Sequence, residues 1–135
     1  MWICPKCKRP FKSRNQWHSC VRVDPDSIFD RFPLAEGLYK KLVKKIRGFG
    51  PDVMISAAKS CVFAKAPGTF IAFKPKKDHL LLEFFLSKAV EEFPVEKTFR
   101  YSRTKVVHWV RIDGKEQINA QLLRWLRESY RISRQ

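Results

Sequence analysis

The sequence predicts an α+β protein. The expected architecture is an antiparallel meander sheet of about five or six strands, flanked by an N-terminal and a C-terminal helix and preceded by a short cysteine-rich knuckle. Three observations carry that expectation. Apolar residues recur at helical spacing near both ends of the main segment, as Leu38, Leu42 and Ile46 and again as Ile118, Leu122, Trp125 and Leu126. Between them, from Val53 to Ile112, the period shifts toward two and the connections are short. Ahead of both, residues 1–23 hold three cysteines and a histidine in a stretch too short to bury a core of its own. The expected division is therefore a knuckle module at 1–23 and an α+β domain at 24–135.

The knuckle reads C-x2-C-x10-H-x-C, with Cys4, Cys7, His18 and Cys20 as its ligand set. Cys4 and Cys7 flank a Pro-Lys pair, so both thiolates turn toward one ion. His18 and Cys20 are two apart and leave an extended chain on the same side. Three thiolates and one imidazole make a closed tetrahedral set, the pattern of a structural Zn2+ site rather than a catalytic one. Metal binding would supply much of the folding free energy of so short a module. Trp2, Phe11 and Trp17 are placed either to form a small core around the ion or to stack on a base. The spacing does not fit a C2H2 finger, which needs a second His and a groove-reading helix.

This opening resembles that of an uncharacterised bacterial family, domain-of-unknown-function family 5655, whose members begin M-W-x-C-P-x-C-G-R-x-F and continue to H-S-C. Met1, Trp2, Cys4, Pro5, Cys7, Arg9, Phe11, His18, Ser19 and Cys20 carry the match. A looser likeness extends through Phe70-Ile71-Ala72-Phe73 to a final helix ending Glu128-Ser129-Tyr130. The resemblance implies a domain of unknown function and lends no reaction or substrate. The family's Gly after the second Cys is Lys8 here. Where positive φ is required, that exchange costs about 1–2 kcal/mol, and the turn is expected to differ slightly.

The main segment opens with a connector, Val23-Asp24-Pro25-Asp26, and a short helix from Ser27 to Phe32. A longer helix spans about Ala35 to Arg47, stopped by Gly48, Gly50 and Pro51. Strands are expected near 53–57, 60–65, 69–75, 80–87, 96–102 and 105–112, with Pro67-Gly68 and Lys76-Lys77-Asp78 as tight connections. Leu80 to Leu86 is apolar on both alternations except at Glu83, which suits a central strand. Phe99 and Tyr101 are expected to share a face with core residues, with Arg100 and Ser102 on the other. Asp113 as N-cap and Glu116 three residues on resemble a capping box for the last helix. The two helices are expected to cover one sheet face, leaving the other open to dimerisation.

Charge is the second strong signal. The 135 residues carry 28 Lys and Arg against 13 Asp and Glu, a formal net charge of +15, which points to an anionic partner with nucleic acid first among them. The candidate phosphate contacts are Lys12 and Arg14 in the knuckle, Lys40, Lys44 and Arg47 on the first long helix, and Arg124, Arg127 and Arg131 on the last. Those last three, with Arg134, recur at spacings of three and four on one helix side. The bland alternative is a solvated basic surface, with the C-terminal arginines serving the helix dipole. No apolar run approaches the length of a spanning helix. Three of the four cysteines belong to the ligand motif, which fits a reducing cytoplasm better than a disulfide framework.

Catalytic signals are sparse, and no catalytic residue is assigned. The chain has no G-x-S-x-G elbow, P-loop, H-E-x-x-H or dinucleotide fingerprint. A nuclease would need clustered carboxylates for Mg2+; acidic residues are scarce, and Glu83 and Asp52 are candidates to meet in space, which spacing alone does not show. His108, alternating with Val106, Val110 and Ile112, reads as a hydrogen-bonded core residue, and His79 as an exposed turn residue. Cys61 reads as buried and inert. The expected function is therefore non-catalytic nucleic-acid binding by a small cytoplasmic zinc protein, with DNA and RNA both open. The alternative is a protein- or small-ligand-binding module using an aromatic sheet face lined by Phe84, Phe85, Phe99, Tyr101 and Trp109.

Overall fold

The structure, a computed structural model, describes residues 1–8, 10–17, 25–58 and 60–134. Strands β1 (Trp2–Ile3) and β2 (Pro10–Phe11) pair antiparallel and form the knuckle. A 3-10 turn at Pro25–Phe29 leads into α1 (Pro33–Ile46). Six strands follow: β3 (Met54–Ala57), β4 (Val62–Lys65), β5 (Thr69–Pro75), β6 (Leu80–Leu86), β7 (Val95–Arg100) and β8 (Val106–Ile112). Helix α2 (Ala120–Ser133) comes last. No described helix is long and apolar enough to cross a membrane.

The α+β class and the central place of Leu80–Leu86 are as the sequence predicts. The sheet is antiparallel in the order β3-β4-β5-β6-β8-β7. The first four strands run as a meander, but the last hairpin enters reversed, so β8 pairs with β6 and β7 takes the edge. Side-chain chemistry explains the order. Val106, His108, Val110 and Ile112 of β8 are all buried, whereas β7 offers the polar sequence VEKTFR and has no buried residue. A strand of that kind is better placed at an edge, where charged side chains also discourage pairing with another chain.

Both helices pack on one face of the sheet, against β5 and β6, and touch each other. From α1, Ala35, Leu38, Tyr39, Leu42 and Ile46 enter the core. Leu80, Leu82, Phe84 and Leu86 of β6 meet them from below. Pro33 sits in the first turn, where a missing N–H costs nothing. The last helix starts later than the expected capping box: Asn119, not Asp113, is its N-cap, accepting from the Leu122 amide at 3.0 Å. The Asp113 and Gly114 amides instead both donate to the Gln117 side chain at 2.7 and 3.1 Å, which shapes a separate 3-10 turn at Lys115–Gln117.

Helix α2 approaches the sheet closely because two small residues one turn apart, Ser129 and Ser133, face it. The β5–β6 ladder runs from Pro75–Leu80 to Ile71–Phe84. The next residues, Phe70 and Phe85, both bond the Ser129 hydroxyl, which donates to the Phe70 carbonyl at 2.6 Å and accepts from the Phe85 amide at 3.0 Å. The Ser133 hydroxyl bonds the Ala66 carbonyl at 3.0 Å. Buried backbone groups are thereby satisfied where the ladder opens.

Candidate functional site

Within the knuckle, Cys4 and Cys7 are both buried and pack with Phe11 and Trp2. The Lys8 amide donates to the Cys4 carbonyl at 2.8 Å, closing a tight turn between the two thiols. Lys8 adopts φ 63°, so the turn is left-handed although it carries a lysine there. His18 and Cys20, the other half of the expected ligand set, lie outside the described residues, and among those described no group of three or more metal-ligating side chains gathers. Of the knuckle aromatics, Phe11 is buried and Trp2 half-buried against it at 5.9 Å between ring centroids, whereas Trp17 is 90% exposed. The knuckle docks on β4 through Lys65, whose ammonium donates to the Pro10 carbonyl at 3.3 Å and lies 4.2 Å from the Phe11 ring centroid.

That docking brings several of the expected cations into one region. The Lys12 Cδ and the Ser133 carbonyl oxygen each lie 3.6 Å from where a Cβ on Gly68 would stand, so the knuckle and the C-terminal turn of α2 meet across the Pro67-Gly68 turn. At the other end, Phe49, two residues beyond Arg47, contacts Tyr130 at 5.7 Å between centroids and lies beneath the Arg127 guanidinium at 4.8 Å. The α1 terminus carrying Lys44 and Arg47 therefore adjoins the arginine side of α2. Gly50 makes the approach possible, because a side chain there would collide with the Tyr130 hydroxyl. Arg14 lines a shallow cleft of about 350 Å³ with Met1, Trp2 and Lys12.

Carboxylates in the helical layer are already engaged. Glu36 pairs with Lys40 at 3.5 Å, Asp52 with Arg134 at 3.0 Å and with the Tyr130 hydroxyl at 2.7 Å, and Glu128 accepts from the Ser87 amide at 3.0 Å. Lys41, Lys44, Lys45, Arg47, Arg124, Arg127 and Arg131 are exposed and have no carboxylate partner among the described residues. The hydrogen bond to Asp52 also raises the Tyr130 pKa, because the carboxylate opposes a second negative charge. Asp52 and Glu83 are held by different partners: Glu83 binds Lys74 at 2.5 Å and the Trp109 indole N–H at 2.8 Å.

The opposite sheet face is not covered by either helix. Phe63, Ala72, Glu83, Phe85, Val107 and Trp109 alternate with the buried residues of their strands and face this side. Phe99 and Tyr101 belong here too, 61% and 66% exposed, rather than with the core as the sequence suggests. The edge position of β7 explains this, since among the described residues no strand pairs beyond it. Phe84 departs in the other direction: its side chain is buried under the helices, 5.8 Å from the His108 ring and 6.3 Å from Trp125, so its ring belongs to the core rather than to the open face. Where β5 and β6 part, a largely apolar cleft of about 290 Å³ opens, lined in part by Phe63, Ala72, Glu83, Phe85, Tyr101 and Val107.

The remaining reactive side chains have structural partners. His108 is fully buried; its Nδ1 bonds the Val106 carbonyl at 2.9 Å and its Nε2 accepts from the Val90 amide at 2.9 Å, which assigns the neutral ring with the proton on Nδ1. His79 is half-buried rather than exposed, bonded to Asp78 at 2.7 Å, and Arg111 reaches the same carboxylate at 3.4 Å. The His79 bond lowers the Asp78 pKa, and the trio ties the β5–β6 turn to β8. Burial pushes the Cys61 thiol up to about 11, which makes it a poor nucleophile at neutral pH.

No curated protein and no solved structure matches the chain. A family model does: the one described as Domain of unknown function (DUF5655) matches residues 26–133, the helix–sheet–helix unit that carries both the cationic layer and the open face. The cysteine-rich opening lies outside the matched residues. Over that span, the chain belongs to this family.

Proposed function

We propose that the protein binds nucleic acid without acting on it, through the cationic outer layer of α1 and α2 extended by the knuckle, with a structural zinc ion holding the knuckle together. The observation that supports this reading is the imbalance of the helical layer, where each carboxylate is engaged while seven cations have no carboxylate partner among the described residues. Lys44, Arg47, Arg124, Arg127 and Arg131, with Lys12 and Arg14 from the knuckle and Lys40 beside its glutamate, are the proposed phosphate contacts. The Arg127 guanidinium lies over the Phe49 ring, which limits its rotamers and lowers the entropy lost on contact. Binding would be driven by counterion release and weaken steeply with salt.

Cys4, Cys7, His18 and Cys20 would hold the zinc. Two buried cysteines across one tight turn are the donor chemistry a closed tetrahedral site uses, and the ion would neutralise thiolates that burial otherwise disfavours. With all four positions taken by protein, the ion would be a staple. A cytoplasmic location follows from the same reading, since reduced thiolates are needed.

Filter binding of DNA and RNA across a salt series tests the proposal. The expected result is affinity that falls linearly in log–log form, with a slope of about −0.9 per phosphate contact on duplex DNA. Affinity no stronger than for heparin, with no salt slope, would sink it.

A further inference from the structure

We propose that the cleft on the open sheet face takes an unpaired nucleobase, making single-stranded nucleic acid the substrate class; this rests on the nucleic-acid reading but uses the side of the sheet opposite the helices. The cleft exists because β5 and β6 separate after Ile71–Phe84, with Ser129 filling the gap on the helix side only. Small Ala72 leaves space between Phe63 on one side and Glu83 on the other, in one row across the sheet. Phe85 and Tyr101 stand beside this space, their ring centroids 5.8 Å apart and tilted by 53°. The two rings touch each other, so a planar ring would stack on one exposed aromatic face beside the Ala72 gap, a contact that suits a base better than an aliphatic chain.

The polar group in the cleft fits the same occupant. Glu83 receives both of its hydrogen bonds, from Lys74 and Trp109, on Oε1. Its Oε2 has no partner among the described residues, so it can accept from a ligand N–H. An exocyclic amino group, such as that of cytosine, matches a carboxylate acceptor. The Lys74 and Trp109 bonds fix the carboxylate in place beforehand.

Charge selects the rest of the ligand. The end of β7 and the β7–β8 connection, residues 100–105, carry Arg100, Arg103 and Lys105 and no acidic residue, with Tyr101 among them. The Lys105 ammonium lies 5.4 Å from the Phe85 centroid, and Lys97 lies 4.5 Å from that of Trp109. A cationic ligand would meet these charges unfavourably, whereas a base on a phosphate chain satisfies the rings, the carboxylate and the cations together.

Fluorescence anisotropy with a labelled oligo(dC) decamer and an abasic decamer of equal phosphate count provides the test. The base-bearing strand is expected to bind about tenfold tighter or more, in line with stacking on an aromatic side chain. Tyr101→Ala, at an exposed position, and Ala72→Leu, which fills the cleft, should each remove most of that ratio while leaving the salt slope unchanged. Oligo(dT), which lacks the amino group, should bind more weakly than oligo(dC), and Glu83→Gln should narrow that difference. Equal binding of abasic and base-bearing strands with the salt slope intact would overturn the cleft proposal and leave phosphate binding standing. Quenching of Tyr101-dependent fluorescence by tetramethylammonium but not by oligo(dC) would overturn it in favour of a cation cage. Absence of binding to any nucleic acid would overturn both readings.

Discussion

Ser129 donates its hydroxyl proton to the Phe70 carbonyl at 2.6 Å and, through the same oxygen, accepts from the Phe85 amide at 3.0 Å. A helix residue thus completes the β5–β6 ladder at the point where the strands part, and the cleft opens on the other side of that point. Ser129 is fully buried, so replacing it with alanine leaves the Phe85 amide and the Phe70 carbonyl without their hydroxyl partner. Ser129→Ala should lower the unfolding free energy by about 1–3 kcal/mol, read from urea denaturation followed by circular dichroism. A loss below about 0.5 kcal/mol, the range of ordinary surface changes, would show that the bridge is dispensable.

His108 gives the fold a pH dependence whose sign follows from its partners. Its Nε2 already accepts from Val90, so protonation there would break that bond and charge a buried ring. Burial lowers the pKa, opposed in part by the bond to the Val106 carbonyl and by the charge of Glu128. The unfolded chain titrates near the ordinary value of about 6.5. Above that pH both states are neutral and the full contribution is present. Below it the unfolded state binds a proton first, so stability falls with pH until the depressed folded-state pKa is passed. Urea midpoints should therefore drop between about pH 7 and pH 5, and His108→Gln should flatten that part of the profile. An unchanged profile in the variant would assign the effect to other groups.

The strand positions were legible in the sequence because alternation of apolar residues is a local signal, and the six strands lie where the alternation places them. Three features were not. The reversed last hairpin follows from how little apolar surface β7 offers compared with β8, a comparison between strands rather than within one. The cap moved from Asp113 to Asn119 because the Gln117 side chain reaches back to two amides and makes a turn of its own. The open-face aromatics were readable but for one: Phe85, Phe99, Tyr101 and Trp109 face the open side, whereas the Phe84 ring occupies the opposite alternation and is core; of the four, Phe85 and Tyr101 line the cleft. The signal that could have separated them was period two itself, since adjacent residues of one strand cannot share a face. Ser129 and Ser133 are polar residues on the buried side of α2, and their value appears only with the strands beside them.

Lys8 stands at φ 63°, a conformation that a side chain disfavours. Lys8→Gly should stabilise the knuckle by about 1 kcal/mol, somewhat offset by the greater freedom of glycine in the unfolded chain. In chelator competition on zinc-loaded protein, that corresponds to an affinity gain of about fivefold. No gain would mean that the Lys8 side chain makes a compensating contact.

Metal analysis of the purified protein should find one zinc per chain, reduced by Cys4→Ser or Cys20→Ser. Chelation should unfold the knuckle and leave the six-stranded sheet intact, because the main core is built without knuckle residues. The far-UV spectrum should change little while emission from Trp2 shifts as its packing on Phe11 is lost. If chelation leaves nucleic-acid affinity unchanged, the helical arginines carry the binding. A loss of affinity with the main fold intact would assign a share to Lys12 and Arg14.

The arginines of α2 separate into two kinds that mutation can tell apart. Arg134 is tied to Asp52 at 3.0 Å and lies over the Tyr130 ring at 5.4 Å, so its charge is partly spent inside the protein. Arg124 and Arg131 are exposed with no carboxylate partner among the described residues. Arg124→Ala and Arg131→Ala should each reduce the magnitude of the salt slope on duplex DNA by about 0.9 and leave stability within about 0.5 kcal/mol. Arg134→Ala should behave in the opposite way, leaving the slope nearly unchanged while lowering stability by up to about 1 kcal/mol, the range of a solvent-accessible ion pair. Paired salt titrations and urea melts on the three variants decide the matter. Equal slope changes at all three positions would mean that the Asp52 pairing gives way to phosphate on binding.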